Sequence, residues 1–231
     1  MSNDPLQVRY TNQGARDYDA RREGSKRFRN EEAAFAAFFD RVKPGSVVDC
    51  PFGTGRWLPF YQGIKGPIIG VDLSEDMLRA ARQKVEGGPS IDLTLICSSV
   101  FDYDFRELSA DPPDVLVCTR FVNWVSAPMM RAAISNLSAS GAKWAVIGAS
   151  VRPSGLSSLR RMVMKLRLAL QNWRAARHGA AIQHVHDERL LDSVFDANGW
   201  RIVDKVRIFS NPTRKNYFWL LERRSSPSGS S

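Results

Sequence analysis

The stretch VVDCPFGTGRW, residues 47–57, decides the fold of this chain. A β-branched run ends at Asp49, a turn with Gly53 and Gly55 follows, and a helix-like pattern begins after the turn. Glycine is needed where the backbone must approach a ligand closely, and the first turn of a helix offers unpaired N–H groups. The stretch therefore predicts a ligand-binding loop at the end of a buried strand.

A second stretch, GVDLSEDMLRAAR at residues 70–82, narrows the kind of ligand. Its strand ends at Asp72, where a carboxylate can accept hydrogen bonds from a ribose diol. The two stretches together imply an adenosine-containing ligand. A dinucleotide is disfavoured, because its G-x-G-x-x-G pattern needs a glycine where this chain has Leu58. An unrelated tight turn would explain the glycines but not Asp49 and Asp72 in register.

The rest of the chain alternates short strand-like runs with longer helical patterns, which favours a parallel sheet wrapped by helices. Ser74 is a predicted N-cap for a helix over 75–85, and a later helix over 187–198 precedes two strands joined by a turn. The strands are predicted at 46–49, 67–71, 93–97, 115–118, 143–147, 200–209 and 216–221. We predict a Rossmann-like α/β fold with a seven-stranded, mostly parallel sheet, an antiparallel terminal strand, and helices on both faces.

Composition sets the broad class. The chain has 231 residues, 43% of them hydrophobic, so residues 1–224 are predicted to form a single domain, with 1–45 as N-terminal lid helices and the Ser/Gly/Pro-rich 225–231 as a disordered tail. No apolar run approaches the length of a membrane span or a signal sequence, which predicts a cytoplasmic protein with reduced thiols at its three cysteines. The net charge of +9 favours anionic partners, and no metal-ligand pattern occurs.

Four motifs resemble those of the class I S-adenosylmethionine-dependent methyltransferases. DCPFGTG at residues 49–55 resembles the first motif of that family, and GVDLSEDMLRAAR at 70–82 resembles the second. CSSVFDYDF at 97–105 is similar to the adenine-side loop, and PDVLVCTRFVNWV at 113–125 is similar to the fourth strand and the loop that faces the methyl group. The resemblance implies methyl transfer with S-adenosyl-L-methionine as the cofactor.

The resemblance also implies a set of cofactor-binding residues. Two positions depart from the family pattern: Pro51 stands where the first glycine is common, and Ser99 stands where an aspartate is frequent. The cofactor-binding residues that the resemblance implies are Asp49, Gly53, Thr54, Gly55, Asp72, Leu73, Met77, Ser99 and Val100.

Acceptor-side residues follow from position in the chain. Arg120, Asn123 and Trp124 come after the fourth strand, where they would face the transferred methyl group, and Tyr18 of the N-terminal segment is a further substrate-binding candidate. His184 and His186 precede the helix over 187–198 and are candidate catalytic bases for a hydroxyl acceptor; the alternatives are that they cap or orient that helix or face water.

The segment over 151–186 is a basic helical insertion. It contains no acidic residue, and Arg160, Arg167 and Arg174 recur along the border of an apolar stripe. Four interpretations remain open: a cap over the substrate pocket, a nucleic-acid site, a patch on an anionic membrane surface, and an amphipathic cover helix with solvated arginines.

The expected function is therefore methyl transfer to a small-molecule acceptor, with O-methylation slightly favoured. Anionic molecules are among the candidate acceptors. Methylation of RNA or another anionic macromolecule is the alternative enzymatic function, and binding of S-adenosylmethionine without catalysis is the non-enzymatic one.

Overall fold

A computed structural model describes residues 24–88, 90–152, 158–177, 182–211 and 214–224. The helices are α1 (Lys26–Val42), α2 (Leu58–Tyr61), α3 (Glu75–Val85), α4 (Ala127–Ser138), α5 (Ser158–Arg177) and α6 (Glu188–Ala197). The strands are β1 (Val47–Asp49), β2 (Ile68–Asp72), β3 (Leu93–Cys97), β4 (Val115–Thr119), β5 (Trp144–Val151), β6 (Trp200–Ser210) and β7 (Lys215–Arg223). Two short 3₁₀ helices cover Phe105–Leu108 and Val122–Trp124.

The strands form one seven-stranded sheet in the order β3-β2-β1-β4-β5-β7-β6. Strands β1 to β5 run parallel, whereas β7 pairs antiparallel with both β5 and β6. The predicted fold class is confirmed, including the antiparallel terminal pair. The chain order reverses at β1, which lies between β2 and β4, and ligands of open α/β sheets bind at the carboxyl ends of the strands at such a point.

Local signals explain where the helices begin. Helix α3 has the predicted bounds, and the Ser74 side chain accepts a hydrogen bond from the backbone N–H of Met77. Glu75 and Asp76 in its first turn interact favourably with the helix dipole. Asp187 caps α6 in the same way, because its carboxylate accepts from the N–H of Arg189.

Helices cover both faces of the sheet, and each face has its own apolar core. Helices α4 and α6 pack on one face, and α1, α2 and α3 pack on the other. On the second face the ring of Phe35 stacks on Trp57, with 4.0 Å between ring centroids. Phe35 and Phe38 are both buried, so α1 packs against the sheet.

Some of the segments predicted from the sequence lie outside the part of the chain that the structure describes. Residues 1–23, with Tyr18, and residues 225–231 lie outside the described residues, so the lid and tail predictions stay predictions. Among the described residues, each helix is either too short or too polar to cross a lipid bilayer.

Candidate active site

A cavity of about 490 Å³ opens at the carboxyl ends of β1 to β4. Its size is typical of sites for small ligands and cofactors. The residues that line it are Cys50, Pro51, Phe52, Gly53, Thr54, Arg56, Trp57, Asp72, Leu73, Ser74, Met77, Ser98, Ser99, Val100, Phe101, Asp102, Thr119, Arg120, Phe121, Trp124 and Met129.

The two glycines of the first loop have different structural roles. Both have positive φ, 61° at Gly53 and 71° at Gly55. A Cβ added to Gly53 would meet no atom within 4 Å, so this backbone is open to a ligand in the cavity. A Cβ added to Gly55 would come within 2.3 Å of Leu58 Cδ1, so the second glycine makes room for α2. The peptide bond between Cys50 and Pro51, the first departure from the family pattern, is cis.

Asp72 is fixed by the backbone around it. The N–H of Gly53 donates to Oδ2 at 2.7 Å, and the N–H of Ser74 donates to Oδ1 at 2.9 Å. Burial raises the pKa of Asp72, and these two N–H groups act against that rise. Each carboxylate oxygen keeps a second lone pair, so Asp72 can accept hydrogen bonds from the two hydroxyls of a ribose.

Asp49 lies behind the loop and does not line the cavity. The hydroxyl of Tyr61 donates to its Oδ2 at 2.9 Å, while its buried Oδ1 has no hydrogen-bond partner among the described residues. Burial raises the pKa of Asp49 well above its usual range. A buried oxygen with spare acceptor capacity beside the loop is consistent with a ligand that brings a hydrogen-bond donor.

The loop after β3 forms an apolar slot with one carboxylate. Ser99 Oγ donates to Asp102 Oδ2 at 2.5 Å and accepts from the N–H of Phe101 and of Asp102. Asp102, three residues after Ser99, therefore brings a carboxylate to this part of the cavity lining. Leu73 and Val100 are the apolar partners in this slot, which suits an adenine ring with an exocyclic amine.

The opposite wall carries two guanidinium groups joined by a buried glutamate. Glu31 of α1 is 1% exposed and pairs with Arg56 and, at 2.7 Å, with Arg120, both of which line the cavity. Arg27 also pairs with Glu31, at 2.9 Å, but does not line the cavity. Burial acts to raise the pKa of Glu31, and the three positive charges outweigh it, so the pKa falls to about 2.

Aromatic side chains complete this wall. The indole N–H of Trp57 donates to Thr119 Oγ1 at 3.0 Å, which fixes the ring beside the cavity. The guanidinium of Arg56 lies over the Trp57 ring at 4.4 Å from its centroid. Phe121 and Trp124 lie in the loop after β4. The arrangement can hold a planar, anionic molecule next to the glycine loop.

The structure brings most of the predicted residues together. Asp49 and Gly55 are the predicted cofactor residues outside the lining, and their contacts place them directly behind it. Arg120 and Trp124, which the sequence predicts to bind the acceptor, line the cavity. The predicted cofactor residues in the lining are Gly53, Thr54, Asp72, Leu73, Met77, Ser99 and Val100.

Asn123 does not line the cavity, because its side chain is committed to the backbone. Its amide group donates to the carbonyl oxygens of Ser150 and His184, each at 2.8 Å, and its Oδ1 accepts from the N–H of Ser150 at 2.6 Å. These bonds tie the loop after β4 to β5. A side chain with three such bonds has little capacity left for a substrate.

The two histidines also lie outside the cavity lining. His186 is buried, its Nε2 lies 2.9 Å from the carbonyl oxygen of Val122, and burial lowers its pKa. The backbone N–H of His184 donates to Asn123 at 2.8 Å. These contacts hold both histidines in the segment before α6, and the N-cap of α6 is Asp187.

Three residues of this wall are not among the site residues predicted from the sequence. Arg56 and Trp57 follow the glycine turn directly, so the quoted motif already contained their signal. Glu31 lies in α1 far from every motif, and only the fold brings it to Arg120. No local sequence pattern marks it.

Comparisons with known proteins agree with this geometry. Residues 47–143 match a family model described as "Methyltransferase domain". No curated protein matches the sequence of this chain.

Solved structures with a similar fold share little sequence with this chain. Magnesium protoporphyrin IX methyltransferase from Synechocystis PCC 6803 with bound SAM has 15% identity and a TM-score of 0.60, over 85% of this chain and 80% of that one. The methyltransferase domain of bacterial CtHen1-C has 14% identity and a TM-score of 0.61, over 86% and 100%. The [4+2]-cyclase SpnF has 12% identity and a TM-score of 0.58, over 78% and 75%.

The glycine loop and Asp72 both lie within residues 47–143, the stretch that matches the methyltransferase-domain model. A solved structure with a similar fold contains the cofactor S-adenosylmethionine. The residues around the cavity fit this cofactor: the open backbone at Gly53, the paired acceptors of Asp72 and the slot beside Asp102 suit its amino acid, ribose and adenine portions.

Proposed function

We propose that this protein is an S-adenosylmethionine-dependent methyltransferase that transfers a methyl group to an oxygen atom of a small acceptor with an anionic group. The observation that carries the proposal is the pair of guanidinium groups, Arg56 and Arg120, in the cavity wall. Glu31 neutralises one charge of this pair, so the wall keeps an excess of one positive charge. A carboxylate or phosphate on the acceptor would be attracted to this wall.

The donors of Arg56 support an anionic ligand. Its buried Nε has no hydrogen-bond partner among the described residues, whereas its terminal nitrogens donate to Glu31 and, at 3.4 Å, to the carbonyl of Phe28. Arg120 adopts a positive φ of 62°, which a non-glycine residue rarely does, and its bond to Glu31 stabilises this conformation. The Trp57 ring lies between the Phe35 ring and the guanidinium of Arg56, so it holds Arg56 in place beside the cavity.

The chemistry of the lining favours an acceptor oxygen that is already deprotonated. Among the described lining residues there is no His, Lys or Tyr, and the carboxylates Asp72 and Asp102 lie on the ribose and adenine side. The cofactor supplies an electrophilic methyl group with a neutral leaving group, so positioning of the acceptor carries much of the catalysis. A carboxylate or phenolate oxygen, oriented by Arg56 and Arg120, needs no general base.

One observation favours the second candidate, methylation of RNA or another anionic macromolecule. The net charge of the chain is +9, and the segment 151–186 is basic throughout. The cavity of about 490 Å³ is sized for a small ligand, which makes a small acceptor the first choice.

The first experiment measures binding of S-adenosylmethionine and S-adenosylhomocysteine by isothermal titration. Asp72→Asn is expected to weaken the affinity for both at least tenfold, since the conservative change removes ribose acceptors. An absence of binding to the wild type would overturn the assignment of the cavity to the cofactor.

The second experiment screens acceptors with radiolabelled cofactor, using carboxylic acids, phenols that carry a carboxylate, their neutral amides, and RNA. We expect methylation of the anionic small molecules only. Release of the label by mild base would identify a methyl ester, whereas a stable label would identify an ether. Methylation confined to RNA or to neutral acceptors would overturn the proposal.

Matched arginine variants test the wall itself. Arg56→Gln and Arg120→Gln are expected to raise the acceptor KM tenfold or more with an unchanged cofactor Kd, because a charge-assisted hydrogen bond is lost. Arg27→Gln is the control, because Arg27 also pairs with Glu31 but does not line the cavity. A weaker cofactor Kd with an unchanged acceptor KM would assign the guanidinium groups to the cofactor and contradict the proposal.

A further inference from the structure

Helix α5 (Ser158–Arg177) presents an unusual surface. Its exposed apolar side chains recur at the spacing of one helical face and include Leu166, 63% exposed, and Trp173, 53% exposed. The full set is Met162, Val163, Leu166, Leu170 and Trp173. These are half of the ten large apolar side chains that are exposed in the described part of the chain, and they lie on one helix.

The remaining surface of α5 is basic. The helix contains six Lys and Arg residues and no Asp or Glu. Arg167 and Arg174 border the apolar face on one side and Lys165 borders it on the other, and all three are exposed. The guanidinium of Arg177 lies over the exposed ring of Trp173, 4.2 Å from its centroid. An apolar stripe between rows of cations is the composition of a helix that lies in a membrane interface.

Polar contacts attach the helix to the domain and leave the apolar face outward. Asn172, half-buried, donates from its side chain to the carbonyl of Gln183 at 2.8 Å and accepts from the N–H of Gln183 at 3.0 Å. Arg214 donates to the side chain of Gln171 at 3.4 Å. None of the described residues of α5 lines the cavity, so the exposed face is separate from the active site.

We propose that α5 binds the surface of an anionic lipid membrane, with its apolar face among the acyl chain ends and its basic residues at the phosphates. Charge complementarity distinguishes this partner from the others. Two copies of a helix with six positive charges would repel each other across a symmetric interface. RNA would satisfy Arg167 and Arg174 but would leave the exposed Leu166 and Leu170 without an apolar partner.

Sedimentation with vesicles tests the proposal on the full chain. We expect binding to vesicles of phosphatidylcholine mixed with phosphatidylglycerol, weak binding to phosphatidylcholine alone, and partial release by high salt. Arg167→Gln combined with Arg174→Gln is expected to weaken binding about 30-fold, since each charge contributes about fivefold. Lys65→Gln combined with Lys143→Gln is the matched control, because both lysines are exposed and lie outside α5.

Single substitutions test the contribution of the exposed apolar side chains to vesicle binding. Leu166→Asn is expected to weaken vesicle binding about tenfold, whereas Ile202→Asn, at an exposed position on β6, leaves it unchanged. Trp173 is the exposed one of the six tryptophans, so its fluorescence should shift to the blue on binding, and Trp173→Phe should abolish the shift.

Three results would overturn the proposal. The first is no sedimentation of the wild type with anionic vesicles, and the second is binding that the α5 variants and the controls reduce equally. The third is a different occupant of the helix: RNA that binds through Arg167 and Arg174 while vesicles do not, or a dimer in solution that Leu166→Asn dissociates.

Discussion

Glu31 shows how one residue organises the acceptor side of the cavity. Its carboxylate is buried and holds Arg56 and Arg120 in place. Glu31→Gln removes the charge and leaves these two guanidinium groups without their counter-charge. We expect a loss of about 3 kcal/mol in the free energy of unfolding at neutral pH, the equivalent of a pKa lowered from 4.5 to about 2.

The pH dependence of this effect has a definite sign. Because the pKa of Glu31 is lowered in the folded protein, its contribution is complete above pH 4.5 and is lost as the pH falls toward 2. Urea denaturation of the wild type and Glu31→Gln from pH 7 downward should therefore give curves that converge over this window. A difference that stays constant with pH would show that the ion pairs do not stabilise the fold.

The histidines give a second prediction at this scale. Since the proposed acceptor oxygen is already ionised, His184→Gln should change kcat less than about threefold and leave the pH profile of kcat unchanged. His186→Gln should lower stability by about 1 kcal/mol, because its ring contacts the carbonyl of Val122. Loss of the acidic limb of the pH profile in either variant would instead identify a general base.

At the scale of residues, the sequence identified more of the residues proposed to bind the cofactor than of those proposed to bind the acceptor. Gly53 and Asp72 are found where the motifs imply, because the family pattern is local in the chain. Asp102 could not be assigned, since its role depends on the turn that Ser99 makes with it. The function of Asn123 was also hidden, because its partners lie in β5 and in the segment before α6.

At the scale of elements, substitutions at the two glycines of the turn between β1 and α2 should affect cofactor binding and stability to different extents. Gly53→Ala places a Cβ in open space at positive φ, so we expect about 1 kcal/mol of destabilisation and at least tenfold weaker binding of S-adenosylhomocysteine. Gly55→Ala pushes a Cβ into Leu58, so its cost should reach about 3 kcal/mol.

Gly199→Ala is the control for that comparison. Gly199 has a φ of 78° with no atom within 4 Å of an added Cβ, and it lies outside the cavity lining. Its stability should fall as in Gly53→Ala while its cofactor affinity stays at the wild-type value. Thermal denaturation and isothermal titration measure the two quantities. Equal affinities for Gly53→Ala and Gly199→Ala would exclude contact between Gly53 and the cofactor.

Element positions follow from local patterns, but the direction of a helical face does not. The bounds of α3 were predicted from Ser74 and the glycines that follow it, and the structure has the same bounds. The apolar stripe of α5 was equally visible in the sequence. Whether that stripe faces the domain or the exterior depends on contacts such as Asn172 with Gln183, which no periodicity encodes.

Across the whole molecule, the alternation of strands and helices was sufficient to predict the sheet. Parallel strands need helical crossovers, and the final turn at Asn211 allows only an antiparallel pair, so the topology has few alternatives. The acceptor wall required the complete fold, because Glu31 and Arg120 are 89 residues apart in the chain.

We expect cofactor binding and membrane binding to be independent of each other. The rise in Tm that the cofactor causes in each variant tests this expectation. S-adenosylhomocysteine at one hundred times its Kd should stabilise the folded protein by about 2.7 kcal/mol and raise the Tm by about 5–10 °C. Asp72→Asn should lose at least about half of this shift, because a tenfold weaker Kd leaves about 1.4 kcal/mol at the same ligand concentration. Leu166→Asn should keep the full shift, since Leu166 is exposed on α5 and does not line the cavity. A reduced shift in Leu166→Asn would mean that α5 and the cavity are coupled, and the vesicle experiment would then have to be repeated with the cofactor bound.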